Sequence, residues 1–158
     1  MKILLSLLLV LTVPLASRAQ CPTSIVVSDA WTSYCDNGVA RARYTLSIVT
    51  VAMPSLPPDL QADFGAVDSN DPGLIVIVPF SRIETVAPGY FQLIAEHYPL
   101  ENFPSGFARH SYLVRWMCDE LPIMLIEDGA GPFPVPGVTC SPLPIAISTW
   151  GAVKALYR

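Results

Sequence analysis

Apolar and polar residues alternate along the chain in short segments, most clearly between Val39 and Met53. Five apolar residues in this segment alternate with four polar ones: Ala40, Ala42, Tyr44, Leu46 and Ile48 with Arg41, Arg43, Thr45 and Ser47. A period of two directs one set of side chains into a core and the other into water, so the segment predicts a β-strand. The alternation shifts at residues 49–51, where we expect a bulge or a bend.

Further strands are predicted over residues 25–28, 74–78, 90–98, 111–118, 123–126 and 145–149. Residues 90–97 are also the best helical candidate of the chain, an alternative that the pattern leaves open. The strand at 123–126 is expected to end at the turn formed by Glu127, Asp128 and Gly129. Sixteen prolines belong in the connections or at sheet edges. Seven or eight short strands separated by turn residues predict an all-β fold, an antiparallel β-sandwich.

Residues 1–19 have the layout of a secretory signal peptide. Lys2 supplies a positive start, residues 3–15 are almost entirely apolar, and the small residues Ser17 and Ala19 precede the expected cleavage site. The protein is therefore predicted to be secreted or displayed at the cell surface. We expect the β-sandwich domain to span residues 20–140 and residues 141–158 to form a linker or a terminal strand, with no transmembrane segment after signal removal.

Four cysteines remain after cleavage, Cys21, Cys35, Cys118 and Cys140, and an even number in an exported chain predicts two disulfides. Three pairings are possible. Loop closure favours Cys21–Cys35 with Cys118–Cys140, because shorter loops close more easily. The combination of Cys35–Cys118 with Cys21–Cys140 stays open as an alternative that would connect distant strands. Zinc is not expected, because no CxxC spacing is present.

The charge of the chain is acidic and argues against two classes of partner. The full sequence has 9 basic and 13 acidic residues. Without Lys2 and Arg18, the mature chain has 7 basic residues, hence a net charge of −6 (7 − 13). Nucleic acids and anionic membrane surfaces need concentrated positive charge, which this sequence lacks.

Asp68, Asn70 and Asp71 form the densest group of oxygen ligands and are calcium candidates. The segment resembles the Asp-x-Asn-Asp linker that binds calcium between cadherin repeats. The same residue types are ordinary turn formers, so a plain turn is the alternative. Trp31 is a candidate for an exposed ligand surface on which a sugar ring could stack, whereas Trp116 is expected to pack over a disulfide.

Catalytic patterns are sparse, and no cofactor motif is found in the sequence. His110 precedes Ser111, but neighbouring residues of a strand point to opposite faces, so the pair does not predict a nucleophile with its base. A hydrolase built on the sandwich would have to use His110 with Glu127 or Asp128. A carrier that holds a small apolar molecule between the sheets is a third hypothesis.

Residues 143–152, Leu-Pro-Ile-Ala-Ile-Ser-Thr-Trp-Gly-Ala, resemble the linker of exported proteins of the type IX secretion pathway. Many of those proteins mature just before a Gln, as Gln20 would allow, and their linker leads into a sorting domain; the printed sequence ends at Arg158, before such a domain. The resemblance implies that residues 20–140 are an immunoglobulin-like module. The functional prediction is a secreted or cell-surface module that binds a protein or carbohydrate partner or serves a structural role.

Overall fold

The computed structural model of the chain describes residues 21–71, 76–77 and 80–141. The predicted signal peptide, the predicted strand at 145–149 and the linker resemblance at 143–152 lie outside the described residues. Within the described part, no helix is long and apolar enough to cross a membrane.

The described residues form eight strands and one short 3-10 helix, which confirms the all-β prediction. The strands are β1 Ser24–Asp36, β2 Val39–Val51, β3 Gln61–Asp68, β4 Val76–Ile77, β5 Arg82–Ala87, β6 Tyr90–Pro99, β7 Phe107–Cys118 and β8 Leu121–Pro134. The helix, Leu100–Asn102, connects β6 to β7. The helical alternative for residues 90–97 is wrong, because this segment is part of β6.

The strands form two four-stranded antiparallel sheets. Sheet one has the order β1-β2-β6-β5, and sheet two has the order β4-β3-β7-β8. This is the order A-B-E-D and C-F-G of an immunoglobulin-like sandwich, with β4 added beside β3. Each edge strand therefore leaves one row of backbone groups without a partner in its own sheet.

Tight turns with left-handed backbone connect the paired strands. Asn37 and Gly38 both have positive φ between β1 and β2, the conformation of a two-residue hairpin turn. Gly89, between β5 and β6, has φ +77, and a Cβ there would lie 2.6 Å from the backbone oxygen of Thr50. The Thr50 N–H in turn donates to the Gly89 carbonyl, so only glycine permits this close approach.

The inward faces of both sheets meet in a largely aromatic core. Ala42, Tyr44, Leu46 and Ile48 of β2 are buried, as their alternation predicted. The rings of Tyr44 and Phe64 stack with their centroids 4.1 Å apart, joining β2 of sheet one to β3 of sheet two. These side chains fill the space between the sheets in which a carrier would hold a small apolar molecule.

The prediction of a bulge or a bend at residues 49–51 is wrong. β2 pairs with β1 without interruption from Val39 to Val51. Thr50 takes the inward position in that alternation, and its hydroxyl donates to the Met53 carbonyl at 3.1 Å. A hydrogen-bonded threonine thus occupies a place that the hydrophobic pattern assigns to an apolar residue. The register shift of β2 lies instead between Ala42 and Tyr44, opposite β6.

The turn expected at residues 127–129 does not end a strand, because β8 continues to Pro134. Its register with β7 shifts on either side of His110, where extra residues are accommodated. Gly131 has φ +122, and a Cβ there would lie 2.7 Å from the backbone oxygen of Ala108. Pro132 and Pro134 lie on this edge strand, where proline removes no hydrogen bond that a neighbouring strand needs.

The disulfides join Cys21 to Cys118 and Cys35 to Cys140. The pairing favoured from loop closure is therefore wrong, and so is the alternative of Cys35–Cys118 with Cys21–Cys140. Cys21 and Cys35 flank the length of β1, about 45 Å of extended chain, whereas bonded cysteines need Cα atoms within about 7 Å. Each disulfide therefore fastens one end of β1 to residues of sheet two or to the segment that follows it.

Candidate functional site

A shallow groove of about 590 Å³ crosses the outer face of sheet two, over β3, β7 and β8. Its floor lies at Gly65, which pairs with Ser111 of β7. Glycine has no side chain to cover the sheet at this point, so the neighbouring rows of side chains stand above it. The flanking rows are Asp63, Leu113 and Ile126 on one side, and Val67 and Arg109 on the other.

Apolar side chains continue from the groove along the same face. Met124 and Ile126 of β8 are 52% and 58% exposed, and Met117 of β7 is 49% exposed. Exposed apolar side chains that adjoin one another are typical of a surface that contacts another molecule. The sequence contains an indication of this apolar surface, because residues 121–126 are all apolar and do not alternate with polar residues. A strand of this kind places apolar side chains on the outer face as well as in the core.

Charged groups of the groove fall into two sets. Ser111 donates to the Asp128 carboxylate at 3.1 Å, and Arg115 donates to Gln61 at 2.7 Å, so these side chains are held within the sheet. The side chains of Asp63 and Arg109, by contrast, have no hydrogen bond or ion pair within the described part of the chain. The carboxylate of Asp63 and the guanidinium of Arg109 are thus available to a partner.

The exposure of the groove predicts selective oxidation of its methionines. Hydrogen peroxide is expected to oxidise Met117 and Met124 at least about tenfold faster than Met53, because Met53 is 2% exposed and the other two thioethers are open to solvent. A time course of peptide masses measures the three rates within one sample. Equal rates at Met53 and Met124 would contradict the assignment of the groove to the outer surface.

His110 lies on the other side of β7, in the core. Its Nε2 lies 3.2 Å from the Asp29 carboxylate and 3.2 Å from the Tyr44 hydroxyl, while its Nδ1 has no partner among the described residues. These contacts fit a neutral ring that donates from Nε2 to Asp29. The cluster joins β1 and β2 of sheet one to β7 of sheet two.

Burial lowers the pKa of His110, an effect that outweighs the opposing influence of Asp29 and Glu127. Burial, with the negative charge of Asp29, raises the pKa of the Tyr44 phenol far above its ordinary value. Both groups are therefore neutral near pH 7. A protonated phenol in this environment is a hydrogen-bond donor and not a nucleophile.

The structure does not bring the residues of the hydrolase hypothesis together. Ser111 points to the outer face and bonds Asp128, whereas His110 points inward. Glu127 is near enough to influence the pKa of His110, but no hydrogen bond joins the two side chains. Within the described residues His110 has no hydroxyl beside it other than the buried Tyr44 phenol, so its surroundings are those of a core residue.

The neutral state of His110 predicts a pH dependence of stability. The unfolded chain binds a proton at this residue near pH 6.5 and the folded chain only at lower pH, so protons favour unfolding below pH 6.5. We expect the free energy of unfolding to fall as the pH is lowered from 7 to 5, with a slope of at most about 1.4 kcal/mol per pH unit from this group.

Urea unfolding at several pH values measures this dependence, with His110→Gln as the matched variant that does not titrate. The slope of the variant should be flatter than that of the natural chain between pH 5 and 7. The same slope in both proteins would contradict the assignment of the effect to His110.

The two carboxylate oxygens of Asp68, which a calcium ion would need as ligands, accept hydrogen bonds within a loop. One carboxylate oxygen accepts from the Asn70 N–H at 2.9 Å, and the other accepts from the N–H and the hydroxyl of Ser105 at 2.9 and 2.8 Å. Desolvation acts to raise the pKa of this carboxyl, and these hydrogen bonds outweigh it and lower the pKa. A calcium ion at Asp68, Asn70 and Asp71 would have to displace the donors of a closed turn.

Trp31 does not form the exposed ligand surface that the sequence analysis considered. Its side chain is in the core, with ring centroids 5.3 Å from Tyr44 and 5.4 Å from Phe103. β1 extends well beyond the predicted residues 25–28, and its continuation turns Trp31 inward. Trp116, at 3% exposure, is buried on the face of β7 that it shares with Cys118.

One group of side chains in the described residues has the spacing of a metal site, formed by Cys21, Cys118 and Asp119. The two cysteines are bonded to each other, so they offer no thiolate, and one carboxylate remains. This group is therefore a disulfide beside an aspartate.

Comparison of the chain with protein families, with curated proteins and with solved structures finds no match. The fold and the groove are therefore the observations that bear on function.

Proposed function

We propose that the protein is an exported binding module, secreted or attached at the cell surface, that binds a protein partner through the outer face of sheet two. The observation that carries the proposal is the groove at Gly65 with its exposed apolar border and the available charges of Asp63 and Arg109. A partner that fits it would insert an apolar side chain over Gly65 and present a cation to Asp63 and an anion to Arg109.

The outer face of sheet one differs from this surface. Its charged side chains pair with one another: Glu96 contacts Arg43 at 2.8 Å and Arg82 at 3.4 Å, and Arg82 also contacts Glu84 at 2.8 Å. Charges that are paired within their own sheet offer less to a partner than available ones. Sheet one also exposes valines, of which Val26 is 62% exposed, and these supply a control surface.

Export is supported by two kinds of observation. Two disulfides are typical of proteins that fold in an oxidising compartment. The layout of residues 1–19 and the resemblance of residues 143–152 to a type IX secretion linker agree with that location. A protein partner is favoured over a carbohydrate because Trp31, the candidate for sugar stacking, is buried.

The test compares four forms of the chain from Gln20 to Arg158, immobilised and exposed to surface extract of the source cells: the natural sequence, Ile126→Glu, Arg109→Glu and the control Val26→Glu. We expect a protein that the natural form and the control retain equally. Both groove variants should retain it at least about tenfold less, the effect of losing about 1.4 kcal/mol at a central contact. Circular dichroism and thermal unfolding establish that all four forms are folded.

A second readout uses the methionines of the same surface. In the complex, hydrogen peroxide should oxidise Met117 and Met124 more slowly than in the free protein. A protein retained equally by all four forms, or no protein that the groove variants selectively lose, would contradict the proposed binding face.

A further inference from the structure

A cavity of about 180 Å³ lies where β3 ends and the 3-10 helix connects β6 to β7. Its lining combines apolar side chains with acidic and polar ones. The apolar residues are Ala66, Val67, Phe103 and Pro104, and the others are Asp68, Asp71, Tyr98, Glu101 and Asn102. No lysine, arginine or histidine occurs among the described residues that line it. A cavity of this volume can hold a molecule of about six non-hydrogen atoms.

The hydroxyl of Tyr98 is buried here without a hydrogen-bond partner among the described residues. Tyr98 is 3% exposed, and its ring centroid lies 6.1 Å from that of Trp31, 5.9 Å from Phe64 and 6.2 Å from Phe103. Because these neighbours surround the ring, the hydroxyl is the end of the side chain that faces the cavity. Buried polar groups in folded proteins are almost always hydrogen-bonded, so the partner of this hydroxyl has to come from a molecule in the cavity.

The carboxylates of the lining supply negative charge beside that hydroxyl. Desolvation acts to raise the pKa of Asp68, but the hydrogen bonds of its loop outweigh it and lower the pKa, so this carboxylate is ionised although it is 5% exposed. The Glu101 side chain has no hydrogen bond or ion pair within the described residues, and Asp71 adds a third carboxylate. Burial raises the pKa of the Tyr98 phenol, which stays neutral and can accept an N–H at its oxygen. The cavity therefore favours a ligand that is both a cation and a hydrogen-bond donor.

An organic cation fits this lining better than a metal ion does. Calcium needs roughly six to eight oxygen ligands at about 2.3–2.6 Å. Both oxygens of Asp68 already accept hydrogen bonds, from Asn70 and Ser105, and a calcium ion would have to displace these donors. An ammonium group brings its own N–H donors, and it can direct them to Tyr98 and Glu101 without displacing any.

We propose that the cavity is a second binding site of the protein, for a primary ammonium group on a short alkyl chain. The ammonium donates to the phenol oxygen of Tyr98 and to the Glu101 carboxylate, and the charge of Asp68 adds to the attraction. The alkyl chain lies against Ala66 and Phe103. Both a small free amine and a lysine side chain present this chemistry. The site does not depend on the partner proposed for the outer face of sheet two.

Two-dimensional NMR of the isotope-labelled chain from Gln20 to Arg158 tests the site, with n-butylammonium as the probe and n-butanol as the uncharged probe of similar size. At constant ionic strength, n-butylammonium should shift the amide signals of Asp68, Asn102 and Phe103 with a Kd of about 1–10 mM, a range open to a ligand of about five non-hydrogen atoms. n-Butanol should bind at least about tenfold more weakly. Equal binding of the two probes would mean an apolar crevice and would overturn the proposal.

Variants assign the binding to the named side chains. Tyr98→Phe keeps the ring and removes the hydroxyl alone, so it should weaken the binding of n-butylammonium at least about tenfold. Glu101→Gln should weaken it about threefold, because this carboxylate is exposed to solvent. The matched control is Glu120→Gln, which removes an exposed carboxylate in the turn at the other end of β7 and should leave the Kd unchanged. The amide signals outside the cavity establish that each variant is folded.

A further probe separates the two sources of the ligand. Binding of N-acetyl-lysine methylamide as tightly as n-butylammonium would support a lysine side chain of a partner, and binding of n-butylammonium alone would support a free amine. Two results contradict the site itself. Unchanged binding by Tyr98→Phe would mean that the hydroxyl is satisfied by water and not by the ligand. Calcium chloride shifting the amide signals of the cavity where n-butylammonium does not would make it a metal site.

Discussion

Replacing Cys35 and Cys140 together by serine is expected to lower the free energy of unfolding by about 2–5 kcal/mol. With Cys21–Cys118 intact, this disulfide closes a loop of 36 residues (14 from Cys21 to Cys35 and 22 from Cys118 to Cys140), and removing it restores the conformational freedom of that loop to the unfolded chain. The same residues hold the segment after β8 against β1, where Ser33 donates to the Pro136 carbonyl. Urea unfolding of the natural chain and of the double variant, without reductant, measures the difference.

The matched variant for this prediction is Ser33→Ala. It removes the hydrogen bond from the Ser33 hydroxyl to the Pro136 carbonyl and leaves both disulfides in place, so the free energy of unfolding should fall by about 0.5–1.5 kcal/mol. A loss below about 0.5 kcal/mol in the cysteine variant would mean that this cross-link does not constrain the unfolded chain, and would contradict the pairing.

Trp31→Ala is expected to lower the free energy of unfolding by about 3–5 kcal/mol. The indole lies among aromatic rings from both sheets, with centroids 5.3 Å from Tyr44, 6.0 Å from Phe64 and 5.4 Å from Phe103. Its removal leaves a cavity that these rings can fill only in part. Thermal and urea unfolding measure the loss, with the exposed neighbour Thr32→Ala as the control, for which we expect a change within about 0.5 kcal/mol.

A tryptophan on a ligand surface would behave differently. Its replacement by alanine would leave the stability close to that of the natural chain. Equal stability of the Trp31→Ala and Thr32→Ala variants would therefore restore the surface interpretation and contradict the packing described above.

The fold class was predictable because alternation is a local property of the sequence. Tyr44, Leu46 and Ile48 mark the inward face of β2 without reference to any other strand, and Asn37 with Gly38 marks the turn before it. Several strands with one apolar face each can bury those faces by packing two sheets together, which predicts an all-β sandwich. The order of the strands within each sheet depends on long-range pairing, which no local pattern specifies.

The errors share one physical origin, the dominance of tertiary packing over local signals. The loop-closure argument considered only how many residues separate two cysteines in the unfolded chain. In the folded protein Cys21 and Cys35 lie at opposite ends of an extended strand, too far apart to bond to each other. Thr50 entered the core because a hydrogen bond to Met53 satisfies its hydroxyl. The end of β8 was misjudged because Glu127 and Asp128 are turn residues that here lie within an irregular edge strand.

The candidate site was only partly predictable. The sequence offered His110 for a hydrolase hypothesis and Asp68 for calcium or a plain turn, and both serve the fold: His110 bonds Tyr44 and Asp29 in the core, and Asp68 closes a turn with Ser105. The groove depends on Gly65 of β3 facing Ser111 of β7, a long-range pairing. The apolar residues 121–126 were the one local indication of an exposed apolar face.

The attachment of β1 at both ends is the central claim, because it fastens sheet one to sheet two and to the segment after β8 behind the binding face. Non-reducing mass spectrometry of a tryptic digest tests it most directly. Trypsin leaves Cys21 and Cys35 together in the peptide ending at Arg41, and Cys118 and Cys140 together in the peptide 116–154. The account predicts that these two peptides are joined. Cleavage at acidic residues, at Asp29 and between 118 and 140, should then give Cys21 with Cys118 and Cys35 with Cys140. Two separate peptides, each bridged internally, would contradict the account.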